Sequence, residues 1–359
     1  MIVPYGSPAD NHNRKCAFDV GEYGIGELAN SLELGCDCKG SIAYLNSNFT
    51  AANGKVTVKK NTICIHEEDD GMLWKHLDWR IAKPEVRRGT KLVVSFIATV
   101  GNYEYAFYWN FHQDGTIEPE IKMTGLLNTS GIAEGEESVY GIKLQKGLEA
   151  QNHQHIFSFR IDPVVDGVKN KVVQVDSIKV KQGPENPMGN AYYAKETTLR
   201  TEQTGYSDLD TSTCRYWKFV NDGSLNHMGK PVAWRLLPKD NGAHMLQDDA
   251  WVLKRAPWVK HHLWTTKYHD DELYPSGMFA NQSDGSDTLE TWIKRDDSIE
   301  NTDIVVWYTL VANHIPRLED WPCMPTHKLS FMLQPCNFFS DSPAITVAPE
   351  NDKSSHRLQ

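Results

Sequence analysis

Lys91-Leu-Val-Val-Ser-Phe-Ile-Ala-Thr-Val100, Gly101-Asn102, Tyr103-Glu104 and Tyr105-Ala-Phe-Tyr-Trp-Asn-Phe111 form the stretch whose reading decides the fold. The first run is β-branched and aromatic and too short to span a membrane, so it reads as a buried strand. Gly101-Asn102 loosens the backbone just before Tyr103. A second strand, from Tyr105 to Phe111, reaches the turn Asp114-Gly115, and Thr116-Ile-Glu-Pro-Glu-Ile-Lys-Met123 returns as its hairpin partner. Tyr103 is thereby placed at a strand junction inside a large sheet.

Working outward, the chain has 359 residues, 40% of them hydrophobic and 23% charged, enough to bury a substantial core. Strands recur between Gly, Asp and Asn turns, and no long amphipathic helix or internal repeat stands out. The expected fold is all-β, a large antiparallel β-sandwich, with residues 1–349 as one domain and residues 350–359 as a polar, disordered tail. A formal net charge of −10 argues against nucleic acid or an anionic membrane as partner. No signal peptide or transmembrane segment is visible.

Seven cysteines do not make a disulfide scaffold, and the odd count leaves at least one free thiol. Cys36-Asp-Cys38 and Cys64 invite a metal reading but lack a fourth ligand at sensible spacing. Cys16, Cys214, Cys323 and Cys336 read as buried thiols. The acidic run His66-Glu67-Glu68-Asp69-Asp70 reads as a solvated face.

A stronger metal signal follows in Asn152-His153-Gln154-His155, which opens the alternating strand Ile156-Phe-Ser-Phe-Arg-Ile161. A period of two puts both imidazoles on one face, where they can hold one ion. His314 is the candidate third ligand, at the end of a long strand from Thr302 to Ala312 and ahead of a proline-rich segment. Three imidazoles suit Cu(II) and equally suit zinc. Near the start, Asp19 lies in Cys16-Ala-Phe-Asp19-Val-Gly-Glu-Tyr23 among apolar neighbours. It reads either as a solvated turn aspartate or as a general base whose pKa burial would raise.

Asn102-Tyr103-Glu104-Tyr105, the His-x-His pair, and His314-Ile-Pro-Arg-Leu-Glu-Asp-Trp-Pro-Cys-Met-Pro325 together resemble the copper amine oxidases, of the fungal type. The resemblance runs from Ile2 to about Pro349. It implies that Tyr103 is the precursor of topaquinone and that His153, His155 and His314 hold copper. It further implies Asp19 as the catalytic base, Tyr5 as the hydrogen-bond partner of a quinone oxygen, and Asn102 and Glu104 as residues that orient the ring. Tyr23 and Val100 would face the substrate channel, Met324 would lie near the metal, and Cys38 and Cys64 would form a structural disulfide. A second metal site, for calcium or manganese, would use Asp162, Asp303 and the Ile304 carbonyl, although Val164 stands where a further aspartate is expected.

Activity and partners follow from the same resemblance: oxidation of a small primary amine by dioxygen, in a homodimer whose hairpin arms come from residues 180–300. The compartment would be cytoplasmic or peroxisomal. The resemblance begins inside the catalytic domain, so the sandwich is expected to lack its first strands and the N-terminal α/β domains. Such a piece would expose a sheet edge and be poorly soluble. The alternative function is a metal-binding sandwich without turnover.

Overall fold

The computed structural model describes residues 1–8, 17–51, 53–279, 283–349, 355 and 357, and the statements below concern those residues. Cys16 and nearly all of the expected tail lie outside them. The strands flanking Gly101 extend further than their apolar runs suggest. One spans Lys83–Val100 and the other Tyr103–His112, paired antiparallel from Val100↔Tyr103 to Lys91↔His112. Tyr103 therefore opens the second strand rather than preceding it. Gly101 takes φ +62, a left-handed conformation that costs glycine little, and the chain reverses there within two residues.

Ile117–Leu126 returns against Tyr103–His112 with Gly125 opposite Tyr103. A Cβ on Gly125 would lie 2.5 Å from the Asn102 carbonyl oxygen, so only glycine admits this close approach. These strands belong to a ten-stranded antiparallel sheet that runs from Tyr192–Thr198 at one edge to Ile42–Thr50 at the other. A six-stranded antiparallel sheet faces it, ordered Tyr206–Ser207, Leu263–Lys267, Ile304–His314, His153–Ile161, Ile2–Pro4 and Ala17–Asp19.

Between the sheets lies one apolar core, with Tyr105, Ile121 and Trp217 from the larger sheet against Phe157, Tyr308 and Leu310 from the smaller. A second core covers the outer face of the six-stranded sheet, where Ile156, Trp307 and Val311 meet Trp258, Leu289 and Trp292. Ile304–His314 is consequently buried at every position except Asn313, which explains an apolar run that only Thr309 breaks before Asn313. Each fully buried apolar side chain of this kind contributes about 1.5–3 kcal/mol.

Several expectations are corrected here. The longest hairpin is Val56–Asp78 with Lys83–Val100, whose tip exposes Trp79 and Ile81, and a shorter one, Tyr216–Leu225 with Pro231–Pro238, lies within residues 180–300. The acidic run lies within Val56–Asp78 and pairs with Lys83–Val100; it exposes Glu67 and Asp69 but buries His66. Cys214 and Cys323 are exposed and Cys336 is half-buried, because turn geometry and a strand end, not apolarity, place the first two. Cys38 and Cys64 are both buried and lie side by side, with their sulfurs within 4.8 Å of each other.

Candidate active site

The antiparallel register of His153–Ile161 with Ile304–His314 sets His153 directly opposite His314. His155 follows two residues along on the same face. Donor atoms of all three rings lie within 4.8 Å of one another, and all three side chains are buried.

Hydrogen bonds decide which nitrogen each ring turns inward. His153 Nδ1–H donates to the Gln151 carbonyl at 2.8 Å, which leaves the Nε2 lone pair free. His155 Nδ1 lies 2.8 Å from Tyr105 Oη, and its Nε2 is buried without a partner. His314 directs Nε2 toward Asp320 at 3.5 Å, and Arg317 clamps that carboxylate at 2.7 Å. Its Nδ1 then comes within 3.2 Å of His153 Nε2. With Nε2–H of His314 serving Asp320, two lone pairs face each other.

A cation between them removes that repulsion and also satisfies His155 Nε2. The donor set therefore fits copper, with Gln151, Tyr105 and Asp320 orienting the ligands from outside. Burial lowers the pKa of all three imidazoles, and for His153, helped by the charge of His314, to about 3. Neutral rings are the ligating form.

Tyr103 closes this site. Its Oη lies 3.0 Å from His153 Nε2 and accepts the Asn128 backbone N–H at 3.3 Å, while its ring meets His155 edge-on at 5.1 Å. Burial pushes its phenol pKa upward, so the oxygen holds its proton until a cation is near. Tyr5 packs against His153 with ring centroids 5.5 Å apart, and its hydroxyl, raised to about 12 by burial, meets the Asn128 side chain. Val100 pairs with Tyr103 on one side, and Gly125 pairs with it on the other, with Met324 opposite Gly125 in turn.

Other expected residues stand apart. Asn102 is exposed and uses its carbonyl to accept Leu126 N–H at 2.8 Å. Glu104 faces away from the Tyr103 ring and accepts Thr99 Oγ1 at 2.8 Å and Asn30 Nδ2 at 3.4 Å. Tyr23 is exposed and stacks on Phe18 at 5.2 Å. Asp162 lies near Asp303, whose carboxyl is raised by burial and then by the Asp162 charge. Val164 points to solvent, and among the described residues no third carboxylate completes the set.

Asp19 lies apart from this cluster and is paired rather than solvated. Register places it opposite Ile2, which is opposite Ile156, and Ile156 alternates in orientation with His153 and His155. Its side chain thus emerges on the outer face of the six-stranded sheet. There it accepts Gly21 N–H at 2.9 Å and pairs with Arg255 at 3.1 Å. A cavity of about 600 Å³ opens beside it, lined also by Arg160, Trp258 and Trp307.

Sequence reasoning missed Tyr105, Asn128, Asp320 and Arg255. A signal existed for Tyr105, because Tyr-Glu-Tyr at period two puts both rings on the histidine face.

The family described as "Copper amine oxidase, enzyme domain" matches residues 1–354. A peroxisomal copper-containing diamine oxidase of Nicotiana tabacum is 46% identical over 355 residues, covering 97% of this chain and 45% of its own length. A primary amine oxidase of Arthrobacter sp. strain P1 is 46% identical over 349 residues, covering 97% of this chain and 53% of its own. The solved structure of a copper-containing benzylamine oxidase from Hansenula polymorpha superposes with a TM-score of 0.92 at 38% identity, covering 98% of this chain and 55% of that one. The chain spans about half the length of the curated relatives it matches. Matched over nearly its whole length, the chain belongs to the copper amine oxidase family.

Proposed function

We propose that this chain carries the catalytic centre of a primary-amine oxidase, with His153, His155 and His314 holding copper and Tyr103 as the precursor of topaquinone. One observation carries the reading: a buried phenol oxygen 3.0 Å from one of three converging imidazoles. The net reaction is amine, dioxygen and water giving aldehyde, ammonia and hydrogen peroxide. When present, copper and the quinone supply a path for two electrons to dioxygen and an electrophilic carbonyl for the amine nitrogen.

The chain's own residues do the rest. Tyr105, Gln151 and Asp320 hold the imidazole orientations. The Asn128 N–H holds the oxygen of residue 103 and Tyr5 meets the Asn128 side chain, while buried Val100 and Met324 keep water from the ring. Asp19 is proposed as the base that takes the proton from the substrate carbon next to nitrogen. It sits where strand Ala17–Asp19 gives way to a short 3-10 turn, and the next residue, Val20, packs in the core that holds Tyr103. To act there, Asp19 would exchange Arg255 for the site by rotation at that junction. The substrate is proposed as a small primary amine and the assembly as a homodimer, with the exposed hairpin tip at Trp79 as its natural reach. The location is proposed as peroxisomal or cytoplasmic. Among the described residues no helix is long and apolar enough to cross a membrane.

The test is to give metal-free protein copper and air. A quinone absorbance and amine-dependent peroxide are expected, and Tyr103→Phe should bind copper yet remain colourless. Amine oxidation by Tyr103→Phe would remove Tyr103 as the cofactor precursor.

A further inference from the structure

Asn102 and Glu104 stand apart from the Tyr103 ring, and the chain brings a different residue to its oxygen. Asn128 lies where Ile117–Leu126 of the ten-stranded sheet gives way to the short strand Thr129–Gly131. On one side Leu126 N–H donates to the Asn102 carbonyl at 2.8 Å and Leu127 N–H to the Pro322 carbonyl at 3.2 Å. On the other side Thr129 pairs with Ala150. Held between these anchors, Asn128 turns its N–H to Tyr103 Oη at 3.3 Å. We infer that Asn128 is a positioning residue that sets the direction of a hydrogen-bond chain, from its side-chain amide to Tyr5 and from Tyr5 to the oxygen of residue 103.

The Asn128 amide donates to the Tyr5 oxygen. A phenol has one proton to give, and an oxygen that accepts from Asn128 keeps that proton for another partner. Tyr5 and Tyr103 both pack on His153, with ring centroids 5.5 Å away in each case, and the backbone of Tyr5 pairs with that of His153. His153 Nδ1–H is already spent on the Gln151 carbonyl, and its Nε2 faces Tyr103 and His314. With the chain in this direction, two donors meet the oxygen of residue 103: the Asn128 N–H and the Tyr5 O–H. Donors of this kind stabilise negative charge on an oxygen. A reversed amide would take the Tyr5 proton instead and leave residue 103 without it. The donor at position 128 therefore matters as well as its shape, and it matters only while Tyr5 carries a hydroxyl. The inference rests on the proposed function, in which residue 103 becomes the quinone whose oxygen uses those donors.

The experiment follows quinone absorbance after copper and air are given to the metal-free full chain, with copper affinity read separately against a competing chelator. Quinone formation should be about threefold slower in Asn128→Ala, which loses the amide but keeps the backbone N–H. In Asn128→Asp, where an acceptor replaces the donor, it should be about tenfold slower. Copper affinity should be unchanged in both, because neither change touches an imidazole. Tyr5→Phe removes the middle of the chain. In that background neither change at position 128 should slow formation further, and the visible band of the quinone should lie where Tyr5→Phe alone puts it. Thermal unfolding identifies a variant that lost the fold, and if Asn128→Asp does so, Asn128→Ala with and without Tyr5→Phe decides. Losses that multiply in the double variants overturn the proposal. So does a wild-type rate in folded Asn128→Asp, or in Asn128→Ala if Asn128→Asp fails to fold, or a fall in copper affinity that matches the fall in rate. A wild-type chain that binds copper and never colours fails the proposed function itself, and the inference with it, which is distinct from a coloured wild type with indifferent variants.

Discussion

The two faces of the six-stranded sheet are made by alternating residues of the same strands, yet they carry different chemistry. The inner face presents His153 and His155 to Tyr103, and the outer face sets Ile156 beneath Ile2 and Asp19. One side has nitrogen donors and a phenol in a dry core. The other has a carboxylate, a guanidinium and a cavity. Strand parity alone assigns each group, and a slip of one residue would exchange the two sets entirely.

The largest expected effect breaks the inner face. His314→Ala removes the ligand opposite His153 and should abolish both copper retention and quinone formation. Full copper occupancy in that variant, by metal analysis, would end the three-histidine assignment. Asp19→Asn comes next and tests whether the outer face takes part in the reaction. As a general base Asp19 should account for ~10²–10⁴-fold of kcat, with quinone formation intact. Arg255→Met separates the roles: if the pair is only structural, the two variants lose similar stability and leave kcat alone.

These variants also mark what the sequence could reveal. His153 and His155 were legible because a period of two needs no knowledge of neighbouring strands, and Tyr103 and His314 because their motifs are dense. The face of Asp19 was not legible, since it depends on the register Asp19↔Ile2↔Ile156, set by strands far apart in the chain. His66 was hidden for a different reason. Its acidic neighbours argue for solvent, but alternation sends Glu67 outward and His66 inward, and pairing with Lys83–Val100 buries it. The all-β class followed from composition and turns, while the length of the hairpin did not, because polar residues fill its outer half.

A smaller effect sharpens the inner face further. Tyr105→Phe leaves the three ligands in place but removes the 2.8 Å partner of His155 Nδ1. Copper affinity should fall by about 10–100-fold. An unpaired buried imidazole nitrogen also costs about 1–3 kcal/mol of stability. Unchanged affinity in a titration against a competing chelator would show that packing alone orients His155.

The smallest expected effect on activity comes from the ten-stranded sheet. Glu118 accepts Lys239 Nζ and Ser330 Oγ, each at 2.7 Å, and lies 3.4 Å from His112 Nε2. Burial pulls its pKa up, but these partners win and hold it at about 2, against an ordinary 4.5. Its contribution is therefore complete above pH 4.5 and lost as pH falls from there toward 2. His112 runs the other way: the carboxylates of Glu118 and then Asp70, outweighing burial, raise its pKa above 6.5. The stability it adds is complete below 6.5 and is lost as pH rises through the raised value. Stability should thus peak between these limits. Glu118→Gln should cost about 1–3 kcal/mol near neutrality, flatten the acid limb and leave kcat untouched. Urea unfolding across the acid range measures this. An acid limb of undiminished height in Glu118→Gln would place the titrating carboxylate elsewhere.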